Sequence, residues 1–463
     1  MNIKVKQIKI NQKYEKYIFT VILLAVIFVL LFNLFTYNPL LGYDADDHLQ
    51  YIDHLSRYLP RALDLPSNTD TREFFNPPGG YLFSSLAQVI CRNIVTSEDL
   101  FTTCKPIYIK STQIFQSILY LLTIFWSLKA LKIINETSKL TNLSFLLMFS
   151  ILGANYRTIS MIRGEPYILF FLSLTLFKFA KLSSKKFEFN NFDIATFGFL
   201  IGALALSRQW AFLLFPGFLL LYFINAKIDK KRYFKFISLS FLIGFVSSSW
   251  FYFSLFFRYG SFTAFNNTPV KFSFYNQPLE FYVPTLENLR YLFYKPIRPY
   301  LDNQFISILY SDLWGDYWGY FTFTSRYLNI GRNQDIIGDY LARVNLISII
   351  PSILIILFFL KGRNFQKFNE VHKYLSYSVL FSVFGYLWFT IKYPMPPTGD
   401  TIKTTYIIQL FYLLVFGASI YLEKLKTISS HKYFLVVTIF LITFIHNFYS
   451  YLSHFPYSFI KSL

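Results

Sequence analysis

Between residues 42 and 55 the chain reads GYDADDHLQYIDHL, and Asp44, Asp46, Asp47 and His48 fall within five positions directly after a long apolar run. A carboxylate in such a cluster can take the proton of an attacking hydroxyl, a service typically worth about 10² to 10⁴ in rate. Neighbouring carboxylates also repel one another, so one of them titrates high and can act as a base near neutral pH. A second use is a divalent metal ion on Asp46, Asp47 and His48, although no ligand-spacing signature marks it. The plainer readings stand beside these. Asp44 would cap the helix that follows, with Asp47 three residues on completing the capping arrangement, and His48 would be a packing or surface histidine.

Partners for that cluster recur at three distant places. MIRGEP carries Arg163 and Glu165, LSRQW carries Arg208, and MPPTGDTIKTTY carries Asp400, Lys403 and Tyr406. Each stands at the end of an apolar run, where ionisable groups are costly and usually functional or paired. Cations aimed at a phosphate stabilise the charge that develops as it leaves. The set therefore suits transfer onto a hydroxyl acceptor from a lipid-phosphate carrier, with a carboxylate as base and Arg163, Arg208 and Lys403 as phosphate contacts. Taken singly the residues have duller accounts. Arg163 and Glu165 would form a local ion pair, and Arg208 would snorkel to lipid headgroups.

The frame that must position them is a membrane-embedded helical one. The 463 residues are 54% hydrophobic and 21% aromatic, with only 15% charged. Apolar runs of about 18 to 20 residues recur along the whole chain, each long enough to cross a hydrocarbon core of about 30 Å. The expected fold class is an all-α polytopic membrane protein, with residues 1–463 as a single integral membrane domain. The net charge of +19 lies in lysine clusters on short links: Lys4 to Lys16, Lys129 to Lys139, Lys178 to Lys186, Lys227 to Lys235, Lys361 to Lys373 and Lys424 to Lys432. That is the positive-inside pattern, and it argues against nucleic acid as a partner.

Taking those links as cytoplasmic gives about eleven spans: 17–36, 111–128, 142–156, 166–181, 192–207, 210–226, 235–256, 344–361, 374–391, 405–422 and 433–451. The N-terminus is then cytoplasmic, and all the acid–base clusters meet on the extracytoplasmic face. The first span has the basic flank of a signal peptide, but its length and lack of a small-residue cleavage site make it a retained helix. Two long outer segments result, 37–110 and 257–343. Cys91 and Cys104 share the first of them, which is compatible with one bridge.

In the first outer segment Leu49, Ile52, Leu55 and Leu59 recur at helical spacing. This predicts an amphipathic helix over 47–60 lying on the membrane surface. NPPGGYLFSSLAQVI (76–90) predicts a rigid turn followed by a second such helix. In the second outer segment YSDLWGDYWGYF (310–321) has the composition of an aromatic belt at headgroup depth.

With these pieces assembled, the chain resembles the GT-C superfamily of membrane glycosyltransferases, the type that includes protein O-mannosyltransferases and the aminoarabinose transferases of lipid A. That family carries an acidic pair after its first helix, and DADDH places Asp46-Asp47 there. NPPGGY, Asn76 to Tyr81, stands where the family has a His-Pro-Pro element. LSRQWAFLLFPGFLLL (206–221) is similar to its Thr-Lys element followed by an apolar run with Pro-Gly, and GDTIKTTYIIQLFYLL is similar to its basic residue and tyrosine at the start of a late helix. The resemblance implies inverting transfer of a hexosyl or pentosyl group from a dolichyl- or undecaprenyl-phosphate sugar to a glycan, lipid or protein acceptor. It implies the periplasmic or lumenal side of a membrane, for which a bacterial inner or plasma membrane is the expected home, and a role in cell-envelope glycan.

By its match to the first acidic residue, Asp46 would be the base, with Asp47 second and Asp44 the cap. Arg163, Glu165, Arg208, Lys403, Tyr406 and Asn76 would orient the donor and contact its phosphate. The chain departs from the family at Asp47, where Glu is usual, and at Asn76, so the role of the histidine does not carry over. Two alternatives use lipid-linked sugars differently. A polysaccharide or O-antigen polymerase would rely on arginine-rich outer loops, and a lipid-linked sugar transporter would line a path across the membrane with its charges.

Overall fold

The structure, a computed structural model, describes residues 2–95, 100–135, 142–224, 229–322, 331–362 and 369–453. Residues 96–99 of the first outer segment, 323–330 of the second, and parts of the lysine links at 136–141, 225–228 and 363–368 lie outside the described residues. Helices dominate, and no strand occurs among the described residues. The first half contains α1 (Asn2–Thr36), α2 (Ala45–Tyr58), α3 (Gly79–Ile94), α4 (Leu100–Ile134), α5 (Leu143–Ser150), α6 (Gly153–Ser160), α7 (Glu165–Ser184), α8 (Asn191–Ser207) and α9 (Phe215–Ile224). The second contains α10 (Lys230–Tyr259), α11 (Leu279–Tyr282), α12 (Leu286–Leu292), α13 (Phe305–Trp314), α14 (Gly331–Gly362), α15 (Asn369–Lys392), α16 (Ile408–Ile428) and α17 (Ser430–His446).

Seven of the described helices are long and apolar enough to cross a membrane: α1, α4, α7, α10, α14, α15 and α16 with the short turn Thr404–Ile407 that leads into it. Shorter apolar helices are α8, α9 with the turn Gln209–Leu214 before it, α13 and α17. The centre of the bundle is α16. Most of its apolar window is buried, 83% against 28% for α1, and it packs on α14, α15, α17 and α5. Around it α4 runs along α7 and α8 along α10.

One expected span, 142–156, is divided into α5 and α6. The side chains of the second piece end the first: Asn155 Nδ2 donates to the Phe149 carbonyl at 2.8 Å and the Tyr156 hydroxyl to the Ser150 carbonyl at 2.9 Å. Those carbonyls belong to the last turn of α5, where an α-helix leaves acceptors open.

The two long segments expected on the outer face, 37–110 and 257–343, are built into the protein. The apolar stripe expected over 47–60 forms α2, but its Leu49, Tyr51, Ile52 and Leu55 pack on Tyr81 of α3, Tyr108 and Ile109 of α4, and Ile162. The face that was expected to meet lipid is thus covered by protein. A Cys91–Cys104 disulfide ties α3 to the start of α4. The aromatic stretch 310–321 is a correction of the same kind. Trp314, Tyr317, Trp318, Tyr320 and Phe321 are buried in the interior instead of forming a headgroup belt. The reason is the pair of aspartates woven into that stretch. Buried Arg157 of α6 meets Asp312 Oδ1 at 2.9 Å and also donates to the Asp312 and Gly315 carbonyls. Asp316 Oδ2 accepts the Phe321 and Thr322 amides at 2.9 and 2.7 Å. A buried charge held by this many hydrogen bonds fixes the aromatic rings inward.

Candidate active site

The site is built where the ends of the bundle meet the two outer segments. After α1 the chain turns, and Asp44 adopts a left-handed conformation, φ 59°, just before α2. Asp44 occupies the N-cap position but makes no side-chain cap bond, which corrects its reading as a helix cap. Its carboxylate is engaged elsewhere: Lys403 Nζ donates to Asp44 Oδ2 at 2.9 Å, joining residues 359 positions apart.

Lys403 is itself locked from the backbone. Its amide donates to the Tyr386 hydroxyl at 2.6 Å, and the next amide, Thr404, donates to Asp312 Oδ2 at 2.8 Å. The ammonium lies over the rings of Tyr43 (4.6 Å) and Tyr406 (5.3 Å), a placement that favours a cation. Burial alone would raise the Asp44 carboxyl, but the Lys403 ammonium and then the Arg163 guanidinium outweigh it and hold the group well below the usual carboxylate range. Burial would lower Lys403, yet Tyr406 and Asp44 raise it overall.

A second layer stands directly behind. Arg163 is 1% exposed. Its guanidinium sits 4.3 Å from the Tyr43 ring centroid and donates to the Tyr43 carbonyl, while Nε and Nη1 have no hydrogen-bond partner. Arg208 Nε donates to Glu165 Oε1 at 3.0 Å, and its Nη1 lies 3.6 Å from Glu73 Oε2. Glu73 in turn accepts from Asn76 Nδ2 and lies 3.7 Å from His48 Nδ1, which is hydrogen-bonded to the Tyr81 hydroxyl at 2.7 Å. Burial raises Glu73 in spite of the opposing Arg208. Burial, then Arg163 and Arg208, lowers His48 well below its ordinary value, so the imidazole is neutral.

Glycines allow the backbones behind this layer to meet. A Cβ on Gly164 would stand 2.5 Å from the Ser207 carbonyl oxygen, and one on Gly79 would stand 2.4 Å from that of Leu206. The sequences NPPGG, RGEP and LSRQW therefore converge on one seam because two of them carry no side chain there.

In front lies a cavity of about 250 Å³. The first outer segment lines it with Tyr43, Asp44, Arg72 and Glu73, the second with Asn266, Arg298 and Trp318, and the last turn with Asp400, Lys403 and Tyr406. Of the residues singled out in the sequence, Asp44, Asp400, Lys403 and Tyr406 thus reach the cavity wall. Arg163, Glu165, Arg208 and Asn76 form the layer behind. Asp46 is exposed on the first turn of α2. Asp47 accepts the Arg72 amide with its side chain and the Thr71 hydroxyl with its carbonyl, so it fastens the 71–73 stretch. Because His48 faces Tyr81 and Glu73 while Asp46 faces outward, the set Asp46, Asp47 and His48 is not assembled as a metal site. Among the described residues no group of three His, Cys, Asp or Glu is placed to hold an ion.

Sequence reasoning missed Tyr43, Arg72, Glu73, Arg298 and Trp318. Glu73 had a usable signal, since TREFFNPPGG sets an acid three residues before Asn76. Arg298 and Trp318 sit in a segment whose path across the site depends on the Arg157 network.

No family model matches the chain, and no curated protein matches it. Among solved structures, an oligosaccharyltransferase from Archaeoglobus fulgidus, crystallised with a tethered acceptor peptide containing the NVT sequon, is similar with a TM-score of 0.47 and 12% identity. The match covers 94% of this chain, which spans about half, 55%, of the length of that one.

Proposed function

We propose that this chain is a membrane glycosyltransferase of the GT-C kind, moving a sugar from a polyprenyl-phosphate carrier onto a hydroxyl acceptor at the outer face, with Asp44 as the general base. The observation that carries this reading is the Asp44–Lys403 pair on the wall of a cavity backed by Arg163 and Arg208. Arg208 is matched by Glu165, and Lys403 by Asp44. Arg163 has no carboxylate partner among the described residues, and its Nε and Nη1 are left open to an incoming anion. A lipid phosphodiester is an anion that these open N–H groups suit.

The pair also supplies a sequence of events. In the resting site Asp44 is a weak base because Lys403 holds it ionised. A phosphate entering the cavity competes for Lys403, and Asp44 loses its strongest counter-charge. Its affinity for a proton rises, and it takes the proton of the acceptor hydroxyl. The acceptor oxygen bonds to the anomeric carbon as the bond from that carbon to the phosphate oxygen breaks, and the electron pair leaves with the polyprenyl phosphate. The leaving group gains a negative charge, which Lys403 and the buried arginine layer are placed to stabilise.

Two further features support the reading. An apolar groove of about 230 Å³, lined by residues such as Leu309, Leu313, Ile355 and Leu414, suits a prenyl tail. It begins beside the site, since Thr404 Oγ1 donates to the Leu309 carbonyl at 3.1 Å. The Cys91–Cys104 bridge in the 37–110 segment favours an oxidising compartment for it, which suits a cytoplasmic N-terminus with one span before that segment. The test is turnover of undecaprenyl-phosphate- and dolichyl-phosphate-linked hexoses and pentoses, radiolabelled in the sugar, by the purified protein. Release of the carrier phosphate supports the proposal. Failure of every donor to turn over, with no stabilisation of the folded protein by undecaprenyl phosphate, overturns it.

A further inference from the structure

One end of the cavity wall, marked by Trp318 and Asn266, is not used by the transfer chemistry. Trp318 is 4% exposed, lines the cavity, and its Nε1 has no hydrogen-bond partner. Asn266 lines the same cavity, and its Oδ1 is buried and unpartnered as well. A buried donor and a buried acceptor left open are costly unless a ligand or water completes them. Arg298 beside them faces a carboxylate: its Nη2 lies 3.3 Å from Asp400 Oδ1, and its guanidinium covers Trp318 at 5.4 Å.

Resting on the donor reading above, we infer that this end of the cavity is the subsite for the transferred sugar, and that it selects a neutral, hydroxylated ring through Trp318 Nε1 and Asn266. Hydroxyls both donate and accept, so one ring can satisfy an open N–H and an open carbonyl together. A carboxylate on the ring would face the Asn266 oxygen and find Arg298 occupied by Asp400. Position agrees with the donor. Asp400 and Lys403 are three residues apart, at most about 11 Å along an extended chain. A sugar carried by a phosphate at Lys403 is therefore within reach of Asp400.

The test compares binding of three probes to the full-length protein in detergent: undecaprenyl phosphate, its glucose diester and its galacturonic acid diester. Wild type should bind the glucose diester more tightly than undecaprenyl phosphate and should not gain from galacturonate. Trp318→Phe, which removes the N–H and keeps an aromatic ring, should weaken the glucose diester by about threefold to tenfold, the worth of one hydrogen bond, with undecaprenyl phosphate bound as before. Asp400→Ala, which frees Arg298, should gain affinity for the galacturonate diester. Equal binding of undecaprenyl phosphate and the glucose diester by wild type overturns the subsite, as does a Trp318→Phe variant that keeps the full difference. Absence of undecaprenyl phosphate binding by wild type is a different result, and it refutes the donor reading itself.

Discussion

Replacing Asp44 by Asn removes the proposed base while keeping the shape and one acceptor oxygen of the side chain. If Asp44 takes the acceptor's proton, transfer should fall by about 10² to 10⁴. At about 1.36 kcal/mol per tenfold, that is roughly 3 to 5 kcal/mol of transition-state stabilisation. The same change leaves the Lys403 ammonium without its counter-charge, and this structural cost must be separated from the catalytic one. The two side chains are 10% and 28% exposed, so the pair is not sealed from water. Its loss should cost less than the roughly 3 to 5 kcal/mol of breaking a fully buried pair. The single variant should therefore fold with a lowered melting midpoint. Adding Lys403→Met removes the stranded charge, so the double variant should regain stability but no activity. The measurements are sugar transfer from a radiolabelled undecaprenyl-phosphate donor and thermal unfolding in the same detergent. Asp46→Asn, at an exposed position outside the cavity, should stay within about twofold of wild type. Two results would refute this reasoning: normal transfer by Asp44→Asn, or activity that returns together with stability in the double variant.

Three other outcomes follow from the surroundings of the site. Gly164→Ala puts a Cβ 2.5 Å from the Ser207 carbonyl oxygen and 2.6 Å from Arg208 Cγ. It should cost about 1 to 3 kcal/mol of overpacking, seen as a lower unfolding midpoint, and an unchanged midpoint would mean the seam is not tight. Burial raises the Glu73 carboxyl above its unfolded value of about 4.3. Its favourable contribution is thus full below about pH 4.3 and is lost as pH rises through the folded value. Glu73→Gln should flatten the decline in thermal stability that begins above about pH 4.3, and an identical pH profile would count against a raised carboxyl. For the bridge, peptide mapping without reductant should recover Cys91 linked to Cys104, 13 residues on. Exchange of both for Ala should cost roughly 2 to 3 kcal/mol of stability.

Much of this was readable from residue order, because periodicity and charge placement are local quantities. The apolar spacing of 47–60 corresponds to α2 at Ala45–Tyr58, and NPPGG marks the start of α3 at Gly79. What escaped depends on partners that are remote in the chain. Nothing near residue 150 announces that Asn155 and Tyr156 will cap the carbonyls that end α5. Nothing in YSDLWGDYWGYF says that Arg157 will draw its two aspartates, and so its rings, into the interior. The three aspartates of DADDH are equivalent as letters, yet the backbone separates them sharply. Successive residues of a helix turn by about 100°, which puts Asp46 on the solvent side of the first turn. Asp44 precedes that turn in a left-handed conformation and reaches Lys403 instead.

The same geometry divides the charged residues into two groups that the sequence treats alike. Arg163, Glu165, Arg208 and Glu73 are buried, and the peptide groups beside Arg163 and Arg208 are clamped by the glycine seam. Charges held this way would need no rearrangement if a bound phosphate gained charge, which is the condition under which fixed dipoles and ions stabilise a transition state most. Asp44 and Lys403 stand in front, more open to water and joined by one ion pair that an incoming anion can divide. A buried layer that sets the potential, and a front pair that an anion can divide, require different things of sequence. The first needs small residues where backbones touch, at Gly79, Gly80 and Gly164. The second needs long-range convergence of a left-handed aspartate and a backbone-locked lysine. If that division is right, a substitution in the seam should alter stability and activity together, whereas one in the front pair should separate them.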